Sequence, residues 1–217
     1  MKKKDRYDTS DLIENQFQPG SRKRVLKNLL GITTKKEMEL AESEAYLRVF
    51  EYSAGIYSKD HRFCAKDLCD LHHVWLKDIY EWAGRYRRVN ISKEGFPFAM
   101  AAYIPRRMNK FEKDTLAEFT PCSPGTLETV AEALAVTHVE FVLIHPFREG
   151  NGRLARLLSF LMALQADMPP PDFSEMAGHN LDRYIAAIHA GMYKDYEPMM
   201  KIFMTILQRS MSKAGRL

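Results

Sequence analysis

The residues with most to offer chemically are concentrated between Phe141 and Arg156, which read Phe-Val-Leu-Ile-His-Pro-Phe-Arg-Glu-Gly-Asn-Gly-Arg-Leu-Ala-Arg. An apolar run ends at His145. Pro146 stops the element before it, because proline has no N–H and restricts the residue ahead of it. Gly150 and Gly152 favour a tight loop whose backbone N–H groups can approach a ligand. From Arg153 to Gln165 there is no Gly or Pro and the pattern is strongly helical, so the loop runs into a helix N-terminus. Successive N–H groups there, with the helix dipole behind them, make an anion site. Arg153 and Arg156, one turn apart, can fork onto phosphate oxygens. Glu149 is a single carboxylate beside that site, which suits Mg²⁺, an ion that takes one or two carboxylates and completes its shell with phosphate and water. His145 at the loop entrance can take a proton from an incoming hydroxyl. Together these groups imply a nucleotide gripped by its phosphates with a general base alongside, which is phosphoryl- or nucleotidyl-transfer chemistry.

Each part has a bland reading. Gly-Asn-Gly is a common turn, a histidine after an apolar run is more often packed than basic, and arginines three apart usually form a solvated face. Those readings do not explain all of the parts in this order within a dozen residues. His145-Pro-Phe147-Arg-Glu149-Gly150-Asn151-Gly152-Arg153-Leu-Ala-Arg156 resembles, with no gap and no departure, the signature of the Fic domain family, His-x-Phe-x-(Asp/Glu)-Gly-Asn-Gly-x-x-x-Arg.

The elements that position the motif read as helices. Thr34 followed by Glu37 three residues on predicts an N-cap and capping box, opening a helix over 34–55 with Met38, Ala41, Ala45, Tyr46, Val49 and Phe50 on one face. A second helix is expected over 66–82, stopped by Gly84. Its aromatic stripe reads as core, and His72 and His73 as structural residues, not ligands. Tyr86–Ser92 alternates with period two, Lys93-Glu94-Gly95 is turn-like, and Phe96-Pro97-Phe98-Ala99 resumes in extended form. This predicts a lone β-hairpin, whose open edges suit addition of a partner's strand. Further helices are expected over 105–119, over 127–143 leading into the motif, over 180–192, and from an interruption at Pro198 to about Met211. Residues 1–24 read as an arm with one short helical turn at 10–16. Val25–Ile32 then offers an apolar face and a glycine stop.

A chain of 217 residues fits one domain with an appendage: the arm at 1–24 and a domain at 25–217. Hydrophobic residues at 46% and charged residues at 28% are ordinary for a globular protein. The net charge of +4 is mild. Its clusters, Lys2-Lys3-Lys4 and Arg22-Lys23-Arg24, read as solvated rather than as a nucleic-acid surface. The three cysteines include no second pair to match Cys64 and Cys69, which argues against zinc and for reduced thiols in a cytoplasmic protein. The basic start runs into Asp5, Arg6 and Asp8, not an apolar core, and no segment has the length to span a bilayer, so no membrane association is expected.

The resemblance covers roughly residues 25–205, with a core at about 66–205, and extends to Tyr80-Glu-Trp82-Ala83-Gly84-Arg85-Tyr86-Arg87 and the hairpin. It implies an all-α, Fic-type helical bundle with a small β-hairpin flap over the active site. It further implies a protein adenylyltransferase that moves AMP from ATP to a Ser, Thr or Tyr hydroxyl of a target protein and releases pyrophosphate. His145 would be the base, Glu149 the Mg²⁺ ligand, and Gly150, Asn151 and Gly152 the anion hole. Arg153 and Arg156 would hold phosphates, and Phe147 would anchor the loop. Ser92, Lys93, Glu94, Gly95, Phe96, Pro97, Phe98, Ala99 and Met100 would form the target-docking flap, with Tyr184 and Ala187 lining the adenine pocket. Many Fic proteins are restrained by a glutamate from a Ser/Thr-x-x-x-Glu-Gly/Asn helix that pairs with the motif's second arginine. Ser10-Asp-Leu-Ile-Glu14-Asn15 fits that pattern, which makes Glu14 a candidate inhibitor of Arg156. A separate small antitoxin is the other expectation. Transfer of UMP, phosphocholine or phosphate, and a non-enzymatic nucleic-acid-binding role, are the competing readings; oligomeric state stays open.

Overall fold

The structure is a computed structural model and describes residues 9, 11–93 and 95–215. Lys2–Lys4, Asp5, Arg6, Asp8, Ser10 and Glu94 lie outside the described residues. The central element is α5 (Leu127–Ile144), capped by the Thr126 hydroxyl, which accepts the Thr129 N–H. It is apolar on nearly every side, and helices of that kind are buried. Eleven of its residues, from Val130 to Ile144, are in the core. It packs between α6 (Asn151–Gln165) and α8 (Glu197–Lys213). Around these lie α1 (Lys35–Ile56) against α2 (Ala65–Leu76), α3 (Ile104–Phe111) continuing through a π-turn at Glu112–Leu116 into α4 (Ala117–Phe119), and α7 (Leu181–Ala190) against α8. Among the described residues the fold is therefore an all-α bundle with one two-stranded hairpin.

The expected N-cap is present: the Thr34 hydroxyl accepts the Glu37 N–H and donates to the Glu37 carboxylate at 2.6 Å. Other boundaries move. The helix expected over 66–82 ends at Leu76, and turns then carry the chain to Gly84. Gly84 has φ +79°, and a Cβ there would lie 2.7 Å from that of His73, so the turn needs glycine. The motif helix starts at Asn151, two residues earlier than its apolar pattern suggested, and Pro198 sits in the first turn of α8, opening that helix where an interruption was expected.

The hairpin is shorter than period-two alternation predicts. β1 (Ser92–Lys93) pairs antiparallel with β2 (Phe96–Pro97), Ser92 opposite Pro97 and Lys93 opposite Phe96. Residues 86–91 are not in the ladder. The Arg87 N–H bonds the Pro146 carbonyl at 2.9 Å, so this stretch lies along the motif loop. The arm has one short helical turn, Ile13–Asn15, and Phe17 then bridges antiparallel to Leu26, so Val25–Leu26 is extended, not part of a helical face. Cys64 and Cys69 are partly buried and Cys122 is buried, all as free thiols. Among the described residues no helix is long and apolar enough to cross a membrane.

Candidate active site

The loop from His145 to Gly150 joins α5 to α6 at the head of the bundle. At each end the backbone is left-handed: His145 at φ 52°, ψ 59°, and Gly150 at φ 85°. Gly150 is required twice over, since a Cβ would also lie 2.6 and 2.8 Å from ring atoms of the buried Trp75. The Asn151 side chain closes the loop upon itself, accepting the Phe147 N–H at 2.9 Å and donating to the Phe147 carbonyl at 2.8 Å. Phe147 is fully buried and stacks on His72 with centroids 4.0 Å apart, the anchoring role expected of it. His72 does more than pack. Its Nδ1 accepts the Gly84 N–H at 2.8 Å, so its Nε2 carries the proton and donates to the Glu149 carbonyl at 3.1 Å. Burial pushes His72 down to about 3, which keeps that arrangement neutral.

His145 is held in one tautomer. Its N–H caps α5 on the Phe141 carbonyl, and its Nδ1 lies 3.1 Å from the Val142 carbonyl. A carbonyl accepts, so Nδ1 bears the hydrogen and Nε2 keeps its lone pair. Burial, with smaller contributions from the Arg87 and Lys93 charges, lowers His145 to about 4 against the opposing Val142 bond. The ring is therefore neutral and proton-accepting at neutral pH. Phe98 of the flap stacks on it at 3.7 Å, and Phe96 stacks on His189 of α7 at 4.3 Å, so the flap lies across the site.

Behind the loop, α6 makes its first helical bond from the Leu154 N–H to the Gly150 carbonyl. The N–H groups of Asn151, Gly152 and Arg153 precede that bond and have no acceptor within the helix. A Cβ at Gly152 would meet only the Arg156 guanidinium, at 3.8 Å. The two arginines differ. Arg153 is committed: it pairs with the buried Glu42 at 2.6 Å, lies over Trp75 at 4.6 Å, and is 3.6 Å from Glu149. Glu42 also accepts the Tyr80 hydroxyl at 2.7 Å, and its carbonyl accepts the Trp75 indole N–H at 2.9 Å. Arg156 makes no hydrogen bond or ion pair among the described residues.

His145, Glu149, Gly150, Asn151, Gly152, Arg153, Arg156 and Tyr184 all line one cavity of about 520 Å³, with Ser92, Lys93, Phe96 and Phe98 from the flap. Its far wall is apolar: Met176, Leu181, Ile185 and Ile188. The Tyr184 hydroxyl points inward to the Nε2 of buried His138 at 2.9 Å, while the His138 Nδ1 faces the Ser159 hydroxyl at 3.3 Å. Ser159 spends its proton on the Ala155 carbonyl, so it accepts from Nδ1, and Tyr184 donates to Nε2. The pocket therefore sees the ring of Tyr184 and not its oxygen. Ala187 is buried and does not line the cavity; Ile185 and Ile188, its neighbours on α7, take that place. Of the expected flap residues, Gly95 at φ 81° makes the turn, while Pro97, Ala99 and Met100 do not line the cavity.

Glu14 is not where the inhibitory expectation put it. Its carboxylate accepts the Arg88 N–H at 2.7 Å and its carbonyl accepts from Arg148 at 2.9 Å, and the residue is buried. Around Glu14 the arm lies against the base of the flap segment, which brings Glu14 to Arg88 and Arg148 instead of Arg156. Sequence reading gave Glu42, Arg87 and His138 no part in the site. Arg87 had a signal: it shares the phase of Val89 and Ile91 in the alternating stretch, a charge on the apolar side. Glu42 lies one turn from Met38 on the buried face of α1.

With this geometry in hand, comparison with known proteins is direct. The Fic/DOC family model matches residues 62–163. The chain is 31% identical over 143 residues to the probable protein adenylyltransferase Fic of Salmonella typhimurium, covering 65% of this chain and 69% of that protein. The chain belongs to the Fic/DOC family. It is 29% identical over 169 residues to the protein adenylyltransferase VbhT of Bartonella schoenbuchensis, covering 74% of this chain and 34% of VbhT. It thus spans about a third of that longer relative. A solved structure of BepC from Bartonella tribocorum, with AMPPNP bound, shares the fold at a TM-score of 0.72 and 23% identity, covering 90% of this chain and 97% of that one.

Proposed function

We propose that the chain is a protein adenylyltransferase: a Ser, Thr or Tyr hydroxyl of a target protein attacks the α-phosphorus of ATP, the bond from that phosphorus to the α–β bridging oxygen breaks, pyrophosphate leaves, and His145 Nε2 takes the hydroxyl proton. The observation that carries this reading is the locked tautomer of His145, with its Nε2 in the same cavity as the first N–H groups of α6 and an Arg156 that has no ion-pair partner among the described residues. The phosphates would lie on the N–H groups of Asn151, Gly152 and Arg153 and against Arg156, where among the described residues no side chain competes for them. Asn151 would contribute its backbone alone. Arg153, held by Glu42, would shape the loop more than grip the outer phosphates. The adenine would occupy the apolar end beside Tyr184, Ile185 and Ile188.

The donor set suits Mg²⁺. Glu149 is an exposed carboxylate whose Oε1 accepts its own Gly150 N–H at 2.9 Å, and among the described residues no cluster of three His, Cys, Asp or Glu would hold a metal without phosphates. When bound with the nucleotide, the ion would neutralise phosphate charge. The target would dock along the flap, Ser92–Met100, adding a strand to its open edge. Restraint would come from a separate small antitoxin, since Glu14 is engaged elsewhere. The named activities of VbhT and of the Salmonella relative support the same reading.

The test is incubation of the protein with Mg²⁺, a host lysate and ATP labelled at the α- or the γ-phosphate, with His145→Ala in parallel. Label from the α-position alone, lost in His145→Ala while ATP still binds, is the expected result. Label from the γ-position, or undiminished transfer by the variant, refutes it.

A further inference from the structure

Arg87 is almost entirely buried, at 1% exposure, and the transfer chemistry above does not use it. Its Nε donates to the His145 carbonyl at 2.7 Å, its Nη1 to the Val89 carbonyl at 2.7 Å and its Nη2 to the Ala99 carbonyl at 2.6 Å. Nη2 also lies 3.5 Å from the Ile144 carbonyl, and a planar fork reaches these carbonyls at once, which an ammonium does not do in fixed geometry. These carbonyls have distinct owners. His145 is the base, and Val89 and Ala99 stand at the two roots of the flap. The His145 backbone is left-handed, a conformation uncommon outside glycine that needs its surroundings to hold it. A buried cation also needs an opposing charge. The opposite charge that acts on Arg87 is Glu14, itself buried and fixed between the Arg88 N–H and the Arg148 side chain.

We infer that Arg87 is a positioning residue for the transfer: it ties both roots of the flap to the main chain of His145, so that a hydroxyl carried by a flap-bound target arrives in register with Nε2. The N-terminal arm, through Glu14, is the outer half of this brace. The inference rests on the proposed function for the identity of target and base, while the physical tie is independent of it.

Two readouts test it. The first needs no activity: ¹⁵N-histidine NMR, with the His145 signal identified by its loss in His145→Gln. The charges acting on this ring are those of Arg87 and Lys93; its other neighbours are the Val142 carbonyl and the Phe98 ring. The wild-type ring should hold the Nδ1–H tautomer and titrate well below an ordinary histidine. Arg87→Met should lose the single tautomer and titrate higher. Arg87→Lys, which keeps the charge, should also lose the tautomer, whereas Lys93→Met should move the titration and leave the tautomer intact. The second readout is AMP transfer from α-labelled ATP, where both Arg87 variants should lose about 10- to 100-fold in kcat with KM for ATP changed less than about twofold. An unchanged tautomer in the Arg87 variants overturns the inference, as does a parallel loss of ATP binding. If Arg87→Met does not fold, Arg87→Lys decides. If the wild type transfers no AMP, the proposed function fails, and the NMR comparison still judges the brace.

Discussion

Replacing Gly150 by alanine tests the packing of the loop at one atom. Two costs follow from the geometry. A residue with a Cβ at φ 85° pays about 1–2 kcal/mol for the left-handed conformation. The new methyl would also lie 2.6 and 2.8 Å from two atoms of the Trp75 ring. That ring has little freedom to retreat: it is buried, its indole N–H is bonded to the Glu42 carbonyl at 2.9 Å, and Arg153 covers one face. Overpacking of this kind costs about 1–3 kcal/mol. The sum, roughly 3 kcal/mol, corresponds to a fall in Tm of about 6–12 °C in a chain of this size. Calorimetry on wild type, Gly150→Ala, Trp75→Leu and the double variant separates the two costs. With the ring removed, Gly150→Ala should cost about 1–2 kcal/mol, leaving a coupling of about 2 kcal/mol. Full cost in the Trp75→Leu background would refute the contact argument, and no cost in either background would refute the whole account of the turn.

Two further predictions concern charge. His72 and His138 are held at about 3 and His145 at about 4 by burial, below the value each would have in the unfolded chain. Between about pH 6.5 and 4 the unfolded state therefore binds up to three more protons, so stability falls as pH falls, with a limiting slope of about 4 kcal/mol per pH unit. Urea midpoints at about pH 7.5, 6 and 5 should drop steeply over the last step; a flat series would contradict the buried neutral state. The two motif arginines should separate. Arg156→Ala should weaken ATP binding by about 10- to 100-fold with little change in Tm, because it removes charge-assisted bonds made only to the ligand. Arg153→Ala should lower stability by about 3 kcal/mol, because it leaves Glu42 buried and unpaired. Calorimetric titration and thermal unfolding of both variants check this, and equal effects on the two measurements would sink the division of roles.

The motif was legible because its chemistry is local. His145, Glu149, the glycines and the helix start are consecutive, so order alone implies their proximity. The long helices were legible for the same reason, through periodicity and the Thr34 cap. What the sequence did not reveal depends on contacts made at long range. Glu42 reaches Arg153 across more than a hundred residues, and His138 reaches Tyr184 from another helix. The hairpin was over-extended because residues 86–91 alternate as a strand does, yet the Arg87 N–H bonds the motif loop at Pro146 and the Arg87 side chain takes up the Val89 carbonyl. Glu14 fitted a loose pattern, but a spacing rule does not fix where an arm lies on a surface. Ala187 was placed at the adenine pocket by resemblance alone, whereas Ile185 and Ile188 line the cavity there.

The link between α5 and α6 behaves as a ruler. Helix ends at Ile144 and begins again at Asn151, and everything between them is pinned at both ends by left-handed residues. A helix turns 100° for each residue. Arg156 therefore faces the cavity through its phase within α6, and the loop ahead of Asn151 sets how far that helix start lies from His145. The spacing from His145 to Arg156 is thus set jointly by the length of the loop and by the phase of the helix.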